Sequence, residues 1–383
     1  MTGTQNYSIE IASDRRTIVQ VDNFDVAQDH VTFLFGESGI GKSIVCKAIY
    51  GLLDPTQLDI TVNGQPYERY LAGPYPRRIL DSSFFVFQEP STHLNPLMRI
   101  SDQLREGDLA SAQNEEQVLQ RLWESGDNTV RRILDVFPKP HRPSGGEKQR
   151  LLLAMAFKKI ALTQARSDDC PTFFVFDEPT GSLDNHYRDL FLDSLLECYA
   201  RKPFTAIFIT HDYSIISALY ARHQKLLPRI HFKELNRAGD SRVQVRDFSA
   251  EEYLGWLRNA TPSVPASAGA EAVLTVEPTF RIFDRTLTIF ADKQRSRAVP
   301  LTIRRGEMVY VKAPSGVGKT TLAKVIMGLY KPQEMAMTLG GHTVTHETRT
   351  RFWQRRVWGK LAGMVFQHAD EALNLQAAVR EVF

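Results

Sequence analysis

Cysteine is scarce: Cys46, Cys170 and Cys198 are the only three in 383 residues. They lie far apart with no metal-ligand spacing, so reduced thiols in a cytosolic protein are the expectation, with Cys46 packed in a helix. Long apolar runs are missing too. No stretch approaches the ~20 residues that a spanning helix needs, and the polar N-terminus has no signal-peptide apolar core. If the protein serves a membrane, the expectation is that it does so from outside the bilayer. An excess of one charge is also absent. The 47 Lys and Arg against 44 Asp and Glu leave a net +3, which gives no ground for expecting nucleic acid as a partner. Apolar residues at 43% and charged residues at 24% are ordinary for a globular protein, and the length suits two domains.

What the chain does contain is one phosphate-binding loop, twice. The first reads Gly36-Glu37-Ser38-Gly39-Ile40-Gly41-Lys42-Ser43, the second Ala313-Pro314-Ser315-Gly316-Val317-Gly318-Lys319-Thr320, followed by Thr321. In such a loop the glycines let successive backbone N–H groups turn inward around phosphate oxygens. The Lys adds a point charge, the Ser or Thr hydroxyl ligates Mg²⁺, and the next helix presents its positive N-terminus. The likeness runs further, at an offset of 277: Lys47, Ile49, Gly51, Leu52 and Pro55 recur as Lys324, Ile326, Gly328, Leu329 and Pro332. Val86-Phe87-Gln88 and Leu94-Asn95 recur at an offset of 279, as Val365-Phe366-Gln367 and Leu373-Asn374. This is an internal duplication.

Around the first loop the pattern is βαβ. Val31–Phe35 is a short apolar run ending at the loop, and a helix-like segment follows to about Leu53. Phe173–Phe176 and Thr205–Thr210 read as buried parallel strands, with a helix from about Asn185 to Tyr199 between them. The fold class is therefore α/β with a mostly parallel sheet. Residues 97–140 are more polar and helix-like, which suggests a small inserted helical subdomain at about 89–143. An Ala/Pro/Ser-rich linker at 259–272 separates a first domain, 1–258, from a second, 273–383.

Three further segments carry candidate chemistry. Asp177-Glu178-Pro179 ends an apolar strand, where α/β proteins bind ligands. There Asp177 would bind Mg²⁺ and Glu178 would orient or deprotonate an attacking water. A turn with helix capping explains the pair equally well. Ser144-Gly145-Gly146-Glu147 precedes the apolar run Leu151–Phe157. Ser144 and Glu147 have the spacing of a capping box, and the amides of Gly145 and Gly146 suit a phosphate at the helix N-terminus; both hold at once. Thr210-His211-Asp212 ends the third strand.

The order of these segments, with Ser182-Leu183-Asp184 among them, resembles the ATP-binding cassette (ABC) ATPases over residues 31–212 and 301–376. The resemblance implies a P-loop NTPase fold of that type, with a partial second copy, and ATP with Mg²⁺ as ligands. It implies that Gly36, Ser38, Gly39, Gly41 and Lys42 hold phosphate and that Ser43 and Asp177 hold the metal. Gln88 would be the Q-loop glutamine, touching metal and water, and Ser144–Glu147 the signature. Asp184 would be the D-loop residue, Glu178 the catalytic carboxylate and His211 the switch histidine. In the second copy it implies Ser315, Gly316, Gly318, Lys319, Thr320, Thr321 and Gln367, with Thr320 and Gln367 at the metal. Pro143 and Glu147 depart from the family's signature, and Ala313 replaces the first loop glycine. No aromatic stands where the family stacks adenine before Lys42, since Tyr7 lies too far upstream, whereas Phe290 stands 29 residues before Lys319.

Gln88-Glu-Pro-Ser-Thr-His-Leu-Asn-Pro96 looks like the corresponding segment of oligopeptide, dipeptide and nickel importer ATPases, and residues 367–374 are a looser version. That likeness implies membrane permease subunits as partners, a solute-binding protein in the same system, and a peripheral place on the inner face of the cell membrane. The alternative is a non-transport ABC ATPase, associated with nucleic acid or ribosomes or scaffolding a metabolic enzyme complex. By the repeat offset a second signature falls roughly 40 positions past Phe383, so a piece of a longer tandem protein is the expectation. Because ABC sites pair one domain's loop with another's signature, the nucleotide at Lys42 is expected to need a second ABC domain or a second chain.

Overall fold

The computed structural model describes residues 3–14, 16–112, 114–123, 129–136, 143–166, 171–181, 183–239, 241–260, 269, 271–292, 294–311 and 317–366. The chain divides into two compact units, Met1–Thr261 and Pro262–Phe383. Ten strands of the first unit form one sheet: β1 (Thr4–Ser13), β2 (Arg16–Ala27), β3 (Val31–Gly36), β4 (Asp59–Val62), β5 (Gln65–Pro66), β6 (Phe85–Val86), β7 (Phe174–Asp177), β8 (Ala206–Ile209), β9 (Ile230–Arg237) and β10 (Arg242–Asp247). Their order is β5-β4-β1-β2-β10-β9-β3-β8-β7-β6.

The run β9-β3-β8-β7-β6 is parallel, as the βαβ pattern requires. The rest is an antiparallel wing in which β1 pairs with β2 and β4, and β10 joins it parallel to β2. The sheet is thus mixed. The wing gives no continuous apolar run: in β1, buried Tyr7, Ile9 and Ile11 alternate with more exposed Asn6, Ser8 and Glu10. The central strands β3, β7 and β8, covered on both faces, are apolar but for Thr32 and Gly36 of β3 and the terminal Asp177 of β7.

Both faces of the parallel half carry a core. Phe33, Phe35, Phe176 and Phe208 face one side, beneath α2 (Gly145–Ala165), α3 (Asn185–Arg201) and α4 (Ser214–Arg222). Leu34, Val175, Ile207 and Ile209 face the other, with Val45, Cys46 and Ile49 of α1 (Lys42–Tyr50). Each such side chain, when wholly buried, contributes about 1.5–3 kcal/mol. A last helix, α5 (Ala250–Asn259), closes the unit.

Element ends differ slightly from the sequence expectation. Helix α1 stops at Tyr50 rather than Leu53, because Leu52 N–H donates to Lys47 O (2.9 Å) and Gly51 N–H to Ala48 O (3.3 Å), the helix-terminating Schellman pattern. In the segment expected to be helical, the described residues form short pieces such as Ile100–Gln103 and Glu115–Gln120. Leu104, Leu119, Leu122 and Trp123 of this segment join the α2 core.

In the second unit, β11 (Ala272–Val276), β14 (Leu301–Arg304), β15 (Ala336–Leu339) and β16 (His342–Thr345) form a sheet ordered β14-β11-β15-β16, and β12 (Thr279–Ile282) pairs with β13 (Arg285–Thr288). The sheet repeats the antiparallel wing β2-β1-β4-β5. Helix α6 (Lys319–Ile326) repeats α1 down to its ending: Leu329 N–H donates to Lys324 O (2.8 Å) and Gly328 N–H to Val325 O (2.9 Å). Met308–Val311, the counterpart of β3, forms no strand, and Met308 and Tyr310 are 97% and 81% exposed. Among the described residues of this unit no strand corresponds to β7 or β8.

Candidate functional site

Strand β3 delivers the first loop at the carboxyl edge of the sheet. Gly36 has φ 138°, and an added Cβ there would stand 2.8 Å from the Leu235 carbonyl oxygen of neighbouring β9. Gly41 caps α1 with φ 110°, a conformation that side chains resist. Around Gly39 nothing lies within 4 Å of where a Cβ would stand, so the loop is open on that side.

Lys42 is buried and curls back, its Nζ donating to Gly36 O (2.7 Å) and Glu37 O (2.8 Å). Burial lowers its pKa, opposed by the Glu178 and Asp177 carboxylates. One residue on, Ser43 Oγ donates to Asp177 Oδ1 at 2.7 Å. Asp177 is 2% exposed at the end of β7; burial raises its pKa, and the Ser43 hydrogen bond pulls the other way. A hydroxyl and a carboxylate side by side are hard oxygen ligands that suit a divalent cation such as Mg²⁺.

Glu178 follows with φ 45°, the left-handed region, which for a residue with a side chain costs about 1–3 kcal/mol. Its N–H donates to Ile209 O of β8 (3.0 Å), which fixes the strained turn, and its Oε2 lies 2.6 Å from His211 Nδ1. Neither carboxylate caps a helix. The cap of α3 is Asp184, whose Oδ1 accepts from His186 N–H (3.0 Å) and Tyr187 N–H (3.1 Å). An open cleft of about 510 Å³ lies beside Glu178 and His211, lined also by Tyr213 and by Tyr253 of α5. Sequence reasoning missed Tyr253, which lies 42 positions past His211 on a helix with no motif.

The remaining expected residues fall as follows. Gln88 is exposed just past the end of β6, the strand beside β7. Ser144 forms the full capping box of α2: its Oγ accepts from Glu147 N–H (3.3 Å) and its N–H donates to Glu147 Oε2 (2.8 Å). Gly145 and Gly146 open that helix, with no atom within 4 Å of a Cβ added at Gly145. In the second unit, Gly318 (φ 104°) caps α6 as Gly41 caps α1, and Lys319, Thr320 and Thr321 form its first turn. Leu287 lies against Gly318 as Val19 lies against Gly41, three residues before the partly exposed Phe290. Ser315, Gly316 and Gln367, with Ala313, Ser182 and Cys170, lie outside the described residues.

A protein-family model described as "ABC transporter" matches residues 19–181 and 296–382. The chain is 32% identical over 212 residues to the oligopeptide transport ATP-binding protein OppD of Lactococcus lactis subsp. cremoris (strain SK11), covering 53% of this chain and 59% of the relative. It is 29% identical over 204 residues to the dipeptide transport ATP-binding protein DppD of Escherichia coli (strain K12), covering 51% and 59%. The ABC transporter ATP-binding protein YejF of the same organism, described as uncharacterized, matches at 28% over 392 residues, or 96% of this chain and 69% of YejF. The chain spans about three-fifths of the length of OppD and DppD.

Proposed function

The chain belongs to the ABC transporter family, and we propose that it is an ATP-hydrolysing subunit that couples ATP hydrolysis to solute import through separate membrane permease subunits. The observation that carries this reading is the cluster at the carboxyl edge of the sheet. Lys42 and Ser43, Asp177 and Glu178, and His211 come from three separate segments: Ser43 meets Asp177 at 2.7 Å and Glu178 meets His211 at 2.6 Å, while Lys42 beside them holds its own loop at 2.7 and 2.8 Å.

Lys42 and the amides of Ser38 to Gly41 hold the polyphosphate; on binding it, Lys42 exchanges the carbonyls of Gly36 and Glu37 for phosphate oxygens. Ser43 and Asp177, with Gln88, would hold Mg²⁺, which would supply charge neutralisation at the terminal phosphates. Glu178 accepts the proton of the attacking water, and His211 holds that carboxylate in one orientation. Ser144, Gly145 and Gly146 present helix N-terminal amides to a nucleotide held by a facing domain, and Asp184 lies beside that junction. The second loop, with Ser315, Gly316, Gly318, Lys319, Thr320, Thr321, Gln367 and the ring of Phe290, binds a second nucleotide. The facing domain is a second ABC domain or a second copy of this chain. The names of OppD and DppD, with the segment Gln88–Pro96, favour a peptide-like solute brought by a solute-binding protein to a complex on the inner face of the membrane.

The test uses the full chain. Turnover is expected to rise more than linearly with protein concentration. Glu178→Gln is expected to lower it by about 10²-fold or more while ATP still binds, and to leave an ATP-bound dimer visible by size exclusion. Wild-type turnover in the variant, or a high specific activity that ignores concentration in a strictly monomeric chain, would overturn the reading.

A further inference from the structure

His211 poses a positional problem. Its side chain is 64% exposed, so packing does not hold it against Glu178; its place must come from the backbone of the loop that carries it. That loop is clasped from outside. Asp212 N–H donates to Thr210 Oγ1 (3.0 Å), and Asp212 Oδ1 accepts from Ser214 N–H (3.0 Å) and Ser214 Oγ (2.6 Å). The other oxygen of Asp212, Oδ2, accepts from Arg188 Nη1 at 2.9 Å, and the same Nη1 donates to Ser214 Oγ at 2.7 Å.

Arg188 is 8% exposed and lies in the first turn of α3, four residues after the capping Asp184. Its other nitrogens are also engaged, Nε and Nη2 both donating to Asp189 Oδ1 (3.0 and 2.8 Å). The line continues outward: Arg222 at the end of α4 pairs with Asp189 (3.3 Å) and Asp193 (3.0 Å), and His223 Nε2 lies 2.7 Å from Asp193 Oδ1. The guanidinium is therefore the inner end of a tie between α3 and α4, which begins at Ser214. A planar fork with several donors in fixed directions can bind Asp212, Ser214 and Asp189 together; an ammonium cannot reproduce that geometry.

We propose that Arg188 is a positioning residue for the reaction: through Asp212 it locks the Thr210–Ser214 loop to α3 and so holds His211 against Glu178. The proposal rests on the reading of Glu178 and His211 given above. It also links the helix that Asp184 starts to the loop that carries His211, so a shift of α3 is felt at Glu178.

The experiment compares Arg188→Met, Arg188→Lys, Asp212→Asn and the Arg188→Met/Asp212→Asn double variant in the full chain. Three quantities are read: hydrogen exchange at the Asp212 and Ser214 amides, ATP affinity, and turnover at saturating protein concentration. Arg188→Met is expected to speed exchange at those two amides by about 10-fold or more, with the amides of β3, β7 and β8 unchanged. Turnover is expected to fall about 10–50-fold with ATP affinity within about 2-fold, Arg188→Lys lying between, and the double variant no worse than Arg188→Met. Unchanged exchange, a rise spread across the whole unit, or affinity falling along with turnover overturns the proposal, and so do losses at Arg188 and Asp212 that multiply. The exchange measurement needs no hydrolysis, so it judges the clasp even if Glu178→Gln refutes the functional reading.

Discussion

Lys158 offers a quantitative test of how the helical segment is held to α2. The side chain is wholly buried, and its Nζ donates to Glu115 Oε1 and to Leu104 O, both at 2.7 Å. Glu115 has a second partner on its other oxygen: Arg105 Nη2 at 2.9 Å, from a side chain 58% exposed. The pair is thus asymmetric. In Glu115→Gln the volume and one acceptor remain, but the ammonium loses its carboxylate in a dry site, which costs about 3–5 kcal/mol. In Lys158→Met the buried charge itself goes, the stem is kept, and Glu115 retains Arg105 near the surface. What is lost is chiefly the donor to Leu104 O, at about 1–2 kcal/mol. For a unit of this size 1 kcal/mol moves Tm by roughly 2–4 °C, so the expected drops are roughly 6–20 °C and 2–8 °C. Calorimetry measures them, and exchange at the α2 amides assigns the transition to the first unit. Acid supplies a second arm. Burial alone pushes the Glu115 carboxyl up, but hydrogen bonds from Arg105 and Lys158 bring it down from 4.5 to about 2. A carboxylate with a depressed pKa stabilises the fold above its ordinary value and loses that contribution as pH falls through the folded one. The gap between wild type and Glu115→Gln should therefore be constant at neutral pH and close between 4.5 and about 2. A gap that persists at the acid end, or a Lys158→Met as damaging as Glu115→Gln, refutes the asymmetry.

Two further outcomes are expected. Gly36→Ala puts a Cβ 2.8 Å from Leu235 O in a backbone of φ 138°, so β3 and β9 must part. A loss of about 2–4 kcal/mol by urea titration is expected, and a loss below about 1 kcal/mol would show that the strands yield freely. Lys42→Ala is expected to remove Mg²⁺-dependent nucleotide binding at the first loop, and Lys319→Ala to remove a weaker event that depends less on Mg²⁺. Titration with a fluorescent ATP analogue with and without Mg²⁺ separates them, and an unchanged curve for Lys319→Ala means that the second loop holds no nucleotide.

Features encoded over a few consecutive residues were legible in the sequence. The capping box of Ser144 and Glu147, the continuous apolar runs of β3, β7 and β8, and the loop glycines are all patterns of spacing, and the structure realises them. Strands β1 and β2 escaped because only one of their faces is covered, so their alternation is weak against the background of a polar N-terminus. The Asp184 cap was hidden behind its family role, although Asp before a helix is an ordinary capping signal. The Arg188–Asp212 clasp had no signal at all: its members lie 24 residues apart and meet only because β8 returns the chain beside α3. Tyr253 reaches the cleft in the same non-local way.

The duplication separates local from tertiary causes within one molecule. Gly318 starts α6 and Lys324 O ends it with the bonds that Gly41 and Lys47 O make in the first unit. Lys324 also stands 5.9 Å over the Phe366 ring as Lys47 stands 5.7 Å over Phe87, so the helix carries its own next neighbour with it. Such bonds span a helix turn or a single contact, and the repeated residues suffice to make them. The strand that should precede the loop behaves otherwise. Val31, Phe33 and Phe35 are wholly buried because β8 and β9 flank β3 and helices cover it. Met308, Tyr310 and Val311 are as apolar in pattern, yet they are exposed and form no strand, and the described residues of this unit supply no counterpart of β8 to flank them. An extended apolar segment becomes a strand only when partners take its N–H and C=O groups. The helix that follows the loop is thus locally encoded, and the sheet that flanks β3 in the first unit is a tertiary product.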